Sequence, residues 1–465
     1  MKTTLYVFLF NMLLVIALAS PRLNAQGAGA LPGDQGRAQE NGLGQAVGGG
    51  WPASSVERPE DAGKSAHTNV WLAVGFRGGR TPEEAVRGVS AGFAYNGETP
   101  QSLGCLYRVP GNKGNNAGCV PVYTSGSGGP QSGGWGIIAI VDAFNNPNAV
   151  TDLESFDSYW GLPAANFSVV YANGNGDCTT PPNNSGWSLE SSLDIEYAHA
   201  MAPKAQIVLV EACSNSNSDM YYAEDVAGSI VNAAGGGDIS NSWGEAEYSG
   251  EIADDVHFGI NYWKNIVHFA SAGDSGCGAA YPSSSPWVVS AGGSEIVRNS
   301  LGQETSEKCW AGSGGGTSTI ETYITGFDGG HTGPWADFQY PIFGQAARAT
   351  PDFASDSSNN TPVWIYSQFA CGGFCLVYGT SVASPTLAGI VNNAGNKLGT
   401  GTIFPIDGTG YYTAEENNLL YSELVGAKAY SSNFYDVKTG TNGCSVTASW
   451  DYCTGVGTPR GILGK

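Results

Sequence analysis

The sequence predicts an α/β protein, a mostly parallel sheet flanked by helices with a short N-terminal extension. Three observations predict it. From about residue 136 onward, apolar runs of strand length alternate with longer helical stretches, the pattern of a parallel sheet covered on both faces. The 465 residues are 41% hydrophobic and only 13% charged, enough apolar material for a large core and too little charge for a disordered polyelectrolyte. Neither an internal repeat nor the evenly spaced alternating strands of an adhesive or carbohydrate-binding module occurs, despite 12 Trp, 22 Tyr and 68 Gly.

The elements follow in chain order. A basic start, an apolar run from Leu5 to Ala19 and a small residue at Ala25 read as a signal peptide over residues 1–25. The apolar run is too short for a membrane span. Residues 26–50 are Gly-, Ala- and Gln-rich with no apolar period, a flexible stretch. Residues 69–122 carry apolar character and two Cys, and Thr124 to Gly134 reads as a Gly/Ser linker. The expected organisation is therefore an N-terminal extension or short propeptide over 26–130 and a second domain over 131–465. Strands are expected at Gly136–Asp142, Phe167–Tyr171, Gln206–Glu211, Asp238–Trp243, Ile266–Ala270 and Trp287–Ala291. Helices are expected near Asp152–Trp160, Leu189–Ala200, Asp225–Ala234 and Glu251–Trp263. In such sheets, functional groups gather beyond the carboxyl ends of the strands.

Charge narrows the partners. Forty-one acidic residues against 20 basic ones give a formal charge of −21, which repels nucleic acid and anionic membranes in the absence of a basic patch. Protonation of carboxylates would relieve that charge, which suits an acidic medium. Ten Cys in an exported chain favour disulfides. The close pairs are Cys105 with Cys119, Cys371 with Cys375 and Cys444 with Cys453, leaving Cys178, Cys213, Cys277 and Cys309 to pair among themselves.

Three segments carry chemistry. Glu190 and Asp194 are four residues apart, so on a helix their carboxyls share one face, close enough to share a proton and raise one pKa. Glu196 turns away from that face. The plainer reading is a solvated helix face. Ser381, in Tyr378-Gly-Thr-Ser-Val-Ala-Ser-Pro385, sits at a helix start after a Gly turn with its hydroxyl and N–H available, which suits a nucleophile that also holds an oxyanion. The ordinary alternative is an N-cap. Asp274, in Ala270-Ser-Ala-Gly-Asp-Ser-Gly276, follows an apolar strand, where it either caps a turn or points into a site.

Glu-x-x-x-Asp before Ala-His-Ala-Met-Ala-Pro, then Ser-Ala-Gly-Asp-Ser-Gly, then Tyr281-Pro-Ser-Ser-Ser-Pro-Trp-Val288, then Gly-Thr-Ser-Val-Ala-Ser-Pro together resemble the sedolisins, the serine-carboxyl peptidases. The resemblance runs from about Gly136 to Gly461. It implies a subtilisin-like fold in which Glu replaces the catalytic His. Carried over, it makes Ser381 the nucleophile, Glu190 the general base, Asp194 its hydrogen-bonded partner and Asp274 an oxyanion-hole donor, which requires acid pH because Asp274 donates only while protonated. Asp142, ending the first strand, corresponds to an acid that extends the network in some members; a strand-end turn residue is the alternative. His199 lies nine residues past Glu190 and reads as a packed helix-end residue, so no Ser-His-Asp triad is expected.

Near the C-terminus, Asp436 and Asp451 with nearby carbonyls make an oxygen cage suited to a hard cation. The resemblance implies one structural calcium ion held by Asp436, Asp451 and the carbonyls of Val437, Thr447 and Ser449, where Thr447 and Ser449 replace the family's usual Gly. The implied protein is a secreted monomeric peptidase acting at low pH on proteins or peptides, without nucleic-acid or membrane partners after signal removal. The alternative is a non-catalytic secreted binding protein retaining the fold. The sedolisins' large folded propeptide has no counterpart of full size here.

Overall fold

The computed structural model describes residues 52–465 apart from 74–78, 88–96, 174–177, 259–264, 322–337, 340–346, 396–412 and 426–428. Residues 1–25, expected to be a signal peptide, and residues 26–50, expected to be flexible, lie outside the described residues, as does His331. In chain order, the strands that frame the site are β1 (His67–Thr68), β2 (Trp71–Leu72), β3 (Ile137–Ala143), β4 (Asn166–Ala172), β5 (Gln206–Ala212), β6 (Gly237–Asn241), β7 (Trp243–Ala246), β8 (Ile266–Ser271), β9 (Ala280–Tyr281), β10 (Val289–Arg298), β11 (Glu304–Cys309), β12 (Phe353–Asp356), β13 (Val363–Ser367) and β14 (Gly373–Tyr378).

Among the described residues the central sheet runs β11-β10-β8-β6-β3-β5-β4, with β12 also on β10. Its pairs are parallel except β10 with β11. Strand β3 is buried along its whole length. Its alternate residues feed opposite cores: Ile138 and Ile140 pack with the Ser185–Met201 and Thr380–Ala394 helices, while Ala139 and Val141 pack with the Asn217–Ala233 helix. A strand buried on both faces reads as a continuous apolar run, which is why it is legible in sequence.

Four expectations change. The run Asp238–Trp243 is not one strand: β6 ends at Asn241 in the central sheet, and β7 begins at Trp243 in a separate antiparallel sheet ordered β1-β7-β9. Of the helix expected over Glu251–Trp263, the described residues form a single turn, Glu251–Asp254, followed by a 3-10 turn to His257, and residues 259–263 lie outside the described residues. The helix expected from Asp225 starts two turns earlier, at Asn217, because Ser216 caps it by accepting from Asp219 N. Cys444 and Cys453 do not bond to each other. Cys277 pairs with Cys444 and Cys309 with Cys453, alongside the expected Cys105–Cys119, Cys371–Cys375 and the remaining Cys178–Cys213. The reason is local: Cys277 N donates to Asn442 O at 2.7 Å and Cys309 N to Thr439 O at 2.8 Å. The C-terminal loop is thereby laid across two earlier segments.

The Gly/Ser-rich stretch at 124–134 does not hang free. Gly126 N and Gly128 N donate to Tyr159 O and Trp160 O at the end of the Ala149–Trp160 helix, at 2.7 and 2.8 Å. A Cβ on Gly129 would lie 2.5 Å from Leu162 Cδ2 and 3.3 Å from Pro100 Cβ, so a side chain there would have to displace the Leu162 methyl. Upstream, β1 pairs with β7 and β2 with β14, and buried Glu98 pairs with Arg298 at 2.7 Å. Residues 65–73 thus run along the carboxyl-end side of the sheet, where the chemistry-bearing residues gather.

Candidate active site

The Ser185–Met201 helix begins with Asn184, whose side-chain oxygen accepts from Gly186 N and Trp187 N at 3.0 and 3.1 Å. From Trp187 onward every residue of this helix is buried. Glu190 and Asp194 therefore face the interior, and the solvated-face reading does not hold. Glu196 is turned to another side, as its spacing requires, and accepts from Tyr366 N at 3.0 Å.

Ser381 is the second residue of the Thr380–Ala394 helix. Gly379 before it has φ of 127°, a backbone open to glycine. A Cβ there would meet Asn69 O at 2.1 Å and Asp274 Oδ2 at 2.5 Å, so the absence of a side chain lets both oxygens close on the nucleophile's turn. Pro385 lies four residues past Ser381 and has no N–H to give to the Ser381 carbonyl. Ser242 Oγ lies 3.3 Å from that carbonyl.

Ser242 joins the parts. Its hydroxyl donates to Asp194 Oδ1 at 2.8 Å, and its carbonyl accepts from Ser381 Oγ at 3.1 Å. Both Glu190 oxygens, both Asp142 oxygens and Asp194 Oδ2 are buried without a hydrogen-bond partner. Burial, then Asp194 and Asp142, hold Glu190 well above the usual carboxylate range; the Ser381 hydroxyl is the neighbour that favours its charged form. Asp194 is raised by burial and by Asp142, and Asp142 by burial and by Glu211, its register partner on β5. Asp142 is thus neither solvated nor a simple turn cap. Three buried carboxyls facing one another cannot all ionise, so they must hold protons in common.

Asp274 follows β8 and is partly exposed. Its Oδ1 accepts from Thr380 N at 2.7 Å and Thr380 Oγ1 at 2.8 Å, and its Oδ2 accepts from Trp71 Nε1 at 2.7 Å. Burial pushes its pKa up to about 7 against these bonds. Ser381 N donates to Asn69 O at 3.2 Å. The structure brings Ser381, Glu190, Asp194, Asp142 and Asp274 to one place.

The described histidines are elsewhere. His199 Nε2 lies 2.8 Å from Pro163 O and 3.3 Å from Asp157, His257 and His268 pair with Asp225 and Glu224, and His67 pairs with Asp61. Sequence reasoning missed Ser242, Thr380, Glu211, Asn69 and Trp71. Ser242 and Glu211 carry a readable signal, since both stand at carboxyl ends of apolar strands. Trp71 carries none.

The cation segment lies apart. Asp436 Oδ1 accepts from Ser449 N at 2.9 Å and its Oδ2 pairs with Lys438 at 2.9 Å. Asp451 Oδ1 accepts from Cys453 N and Thr454 N, each at 2.8 Å; burial first, with Asp436 a minor contributor, raises it to about 6. Ser449 has φ of 75°, the left-handed backbone that glycine takes without strain. Among the described residues, no group of three or more His, Cys, Asp or Glu side chains is placed to hold a metal. Two neighbouring carboxylates beside a reversed backbone, with a lysine ammonium already drawn to one of them, are compatible with a hard cation only if carbonyls complete the set.

No family model matches the chain. Its sequence is similar to kumamolisin of Bacillus sp. (strain MN-32), 26% identical over 415 residues that cover 83% of this chain and 66% of that protein. It is also similar to sedolisin of Pseudomonas sp. (strain 101), 25% identical over 370 residues, covering 74% of this chain and 60% of that one. The chain therefore spans somewhat less than two thirds of the length of these curated relatives. A solved structure of Pseudomonas sedolisin, a serine-carboxyl proteinase complexed with two molecules of pseudo-iodotyrostatin, superposes with a TM-score of 0.59 at 21% identity, covering 78% of this chain and 96% of that chain. That likeness is one of fold.

Proposed function

We propose that this chain, which belongs to the sedolisin family and has its subtilisin-like fold, is a serine peptidase that hydrolyses peptide bonds in acid, outside the cytoplasm. The observation that carries the reading is the buried carboxyl cluster of Glu190, Asp194 and Asp142 beside a helix-start serine. Ser381 Oγ swings its proton from Ser242 O to Glu190 and adds to the substrate carbonyl. Asp194, bonded to Ser242, and Asp142 keep the shared proton and charge within the cluster. The oxyanion that forms is met by Ser381 N–H and by the protonated carboxyl of Asp274. Glu190 then returns the proton to the leaving amine, and water releases the acyl group.

Protons set both limits. A carboxyl raised to about 7 keeps its proton in acid and loses it on the way to neutrality, so the oxyanion donor disappears as pH rises. At very low pH the cluster is wholly protonated and Glu190 can accept nothing. Activity on quenched peptides or unfolded protein, followed from pH 2 to 8, should be bell-shaped with its maximum below neutrality. A neutral maximum, or no activity at any pH, rejects the mechanism; the latter outcome favours a binding protein that keeps the fold. Extracytoplasmic placement is supported by the five disulfides and the absence of free Cys among the described residues. Among those residues no helix is long and apolar enough to cross a membrane.

One calcium ion is part of the same proposal, held by the Asp436 and Asp451 carboxylates and the carbonyls of Val437, Thr447 and Ser449. It would neutralise paired carboxylates and tie the C-terminal loop down, with no part in bond cleavage. Dialysis against a chelator should lower the melting temperature, and added calcium should restore it. Ser449→Gly should raise the stability of the metal-free protein by about 1 kcal/mol, by relieving the left-handed backbone. An unchanged melting temperature with no bound metal counts against the ion.

A further inference from the structure

The loop that leaves β3 grips the Ser185–Met201 helix. Phe144, the first residue past the strand, takes a left-handed backbone with φ of 64° and gives its N–H to Ala212 O at 2.8 Å. That turn sends the next residues across to the helix. Asn145 N donates to Pro182 O at 2.9 Å, just before the Asn184 cap, and Phe144 packs on Trp187 with ring centroids 6.3 Å apart. Asn146 then reaches the helix itself. Its side chain is 5% exposed, and its Nδ2 lies 3.3 Å from Ser188 O, 3.0 Å from Ser191 Oγ and 3.1 Å from Ser192 Oγ.

Those acceptors are spaced i, i+3 and i+4, which is one stripe along a helix. At about 100° per residue, Glu190 and Asp194 fall on the far side of the helix from that stripe. A carboxamide that holds the stripe therefore fixes the height and rotation of the acids opposite. Glu190 needs such a hold, because neither of its carboxyl oxygens has a hydrogen-bond partner and its aim is that of its helix. The grip has its own anchor. Asn146 N donates to Glu211 Oε1 at 2.8 Å, and Glu211 is fully buried beside Asp142. Burying a carboxyl is unfavourable, and a loop that only had to pack would manage without one.

We propose that Asn146, held by Glu211, is a positioning residue for the general base: its carboxamide sets the rotation of the Ser185–Met201 helix and so the aim of Glu190 at the Ser381 hydroxyl. The inference rests on the serine-peptidase reading above. Asn146 acts only through the helix and has no contact with the reacting atoms. Turning a helix by about 10° moves a side chain on its rim by about 1 Å, and a misplacement of that size costs a catalytic step about a hundredfold.

The test is kcat and KM on a quenched peptide at the acid optimum, with melting temperatures, for wild type, Asn146→Ala, Glu211→Leu and Glu211→Gln, and for Asn146→Ala in the Glu190→Gln background. Asn146→Ala should lower kcat at least about thirtyfold while KM stays within about threefold. Glu211→Leu, which leaves the Asn146 N–H without its acceptor, should do the same, whereas Glu211→Gln, which keeps an acceptor, should stay within about threefold of wild type. In the Glu190→Gln background Asn146→Ala should cost nothing further, since the group it aims is already disabled. Wild-type kcat in Asn146→Ala or Glu211→Leu, or a loss that adds in full to that of Glu190→Gln, overturns the inference and leaves the peptidase reading standing. If Asn146→Ala is unfolded by circular dichroism, Ser191→Ala combined with Ser192→Ala, which removes two of the acceptors and leaves the loop intact, is judged by the same criteria. A wild-type chain that cleaves no peptide overturns the peptidase reading and the inference with it.

Discussion

Glu190→Gln is expected to lower turnover roughly a thousandfold or more at the pH optimum, and Ser381→Ala at least as far. Combining the two should cost nothing further. The amide is nearly isosteric, so the buried helix face is kept while the proton acceptor is lost. Non-additivity follows because both residues serve one proton transfer. Once Ser381 cannot attack, a base for its proton has no work. The measurement is kcat on a quenched peptide, with circular dichroism showing an intact fold. A double variant markedly worse than either single one would mean that Glu190 acts on something other than the Ser381 proton. Asp194→Asn should have a smaller effect, because Asp194 acts through Ser242 and through charge.

Stability is expected to be greatest in acid and to decline across neutrality, the reverse of an ordinary globular protein. Beyond the catalytic carboxyls themselves, burial raises Glu211, which neighbours Asp142, and Glu251 to about 8, Glu245, Asp255 and Glu307 to about 7, and Glu321 to about 9. In the unfolded chain these groups titrate near 4. Between the two values the native state binds more protons than the unfolded one, so stability falls as pH rises. The stabilisation is complete below about pH 4 and fades progressively to about pH 9. A decline in melting temperature of roughly 10 °C or more from pH 4 to pH 8 is the expected size. Glu211→Gln should flatten part of that slope, since an amide carries no proton to lose. A melting temperature that climbs over the same interval would show that these buried carboxyls have partners that outweigh burial.

How much of the molecule is legible in its sequence depends on where each residue's partner lies. Strand β3 and the Glu190 helix can be read because their signals are local, an apolar run and a spacing of four. The stretch Asp238–Trp243 misleads because Trp243 continues the apolar run although the chain has already left the sheet. Glu251–His257 has helical composition, yet the α-helical turn closes after Asp254 and tightens to a 3-10 turn. Proximity in sequence matches Cys444 to Cys453, whereas its partner lies 167 residues away. Trp71 meets Asp274 across 203 residues, and no period or motif near either one reports it. The roles expected of the acids come from motif order, and their burial comes only from the fold.

Ser242 stands between the end of β6 and the start of β7, the one residue between a central-sheet strand and a strand of the outer sheet. It is therefore a mechanical joint. Any tilt of the outer sheet turns the Ser242 peptide unit, and with it the carbonyl that restrains the Ser381 hydroxyl and the hydroxyl that restrains Asp194. The orientation of the outer sheet and the aim of the Ser381 hydroxyl are consequently linked through one peptide unit.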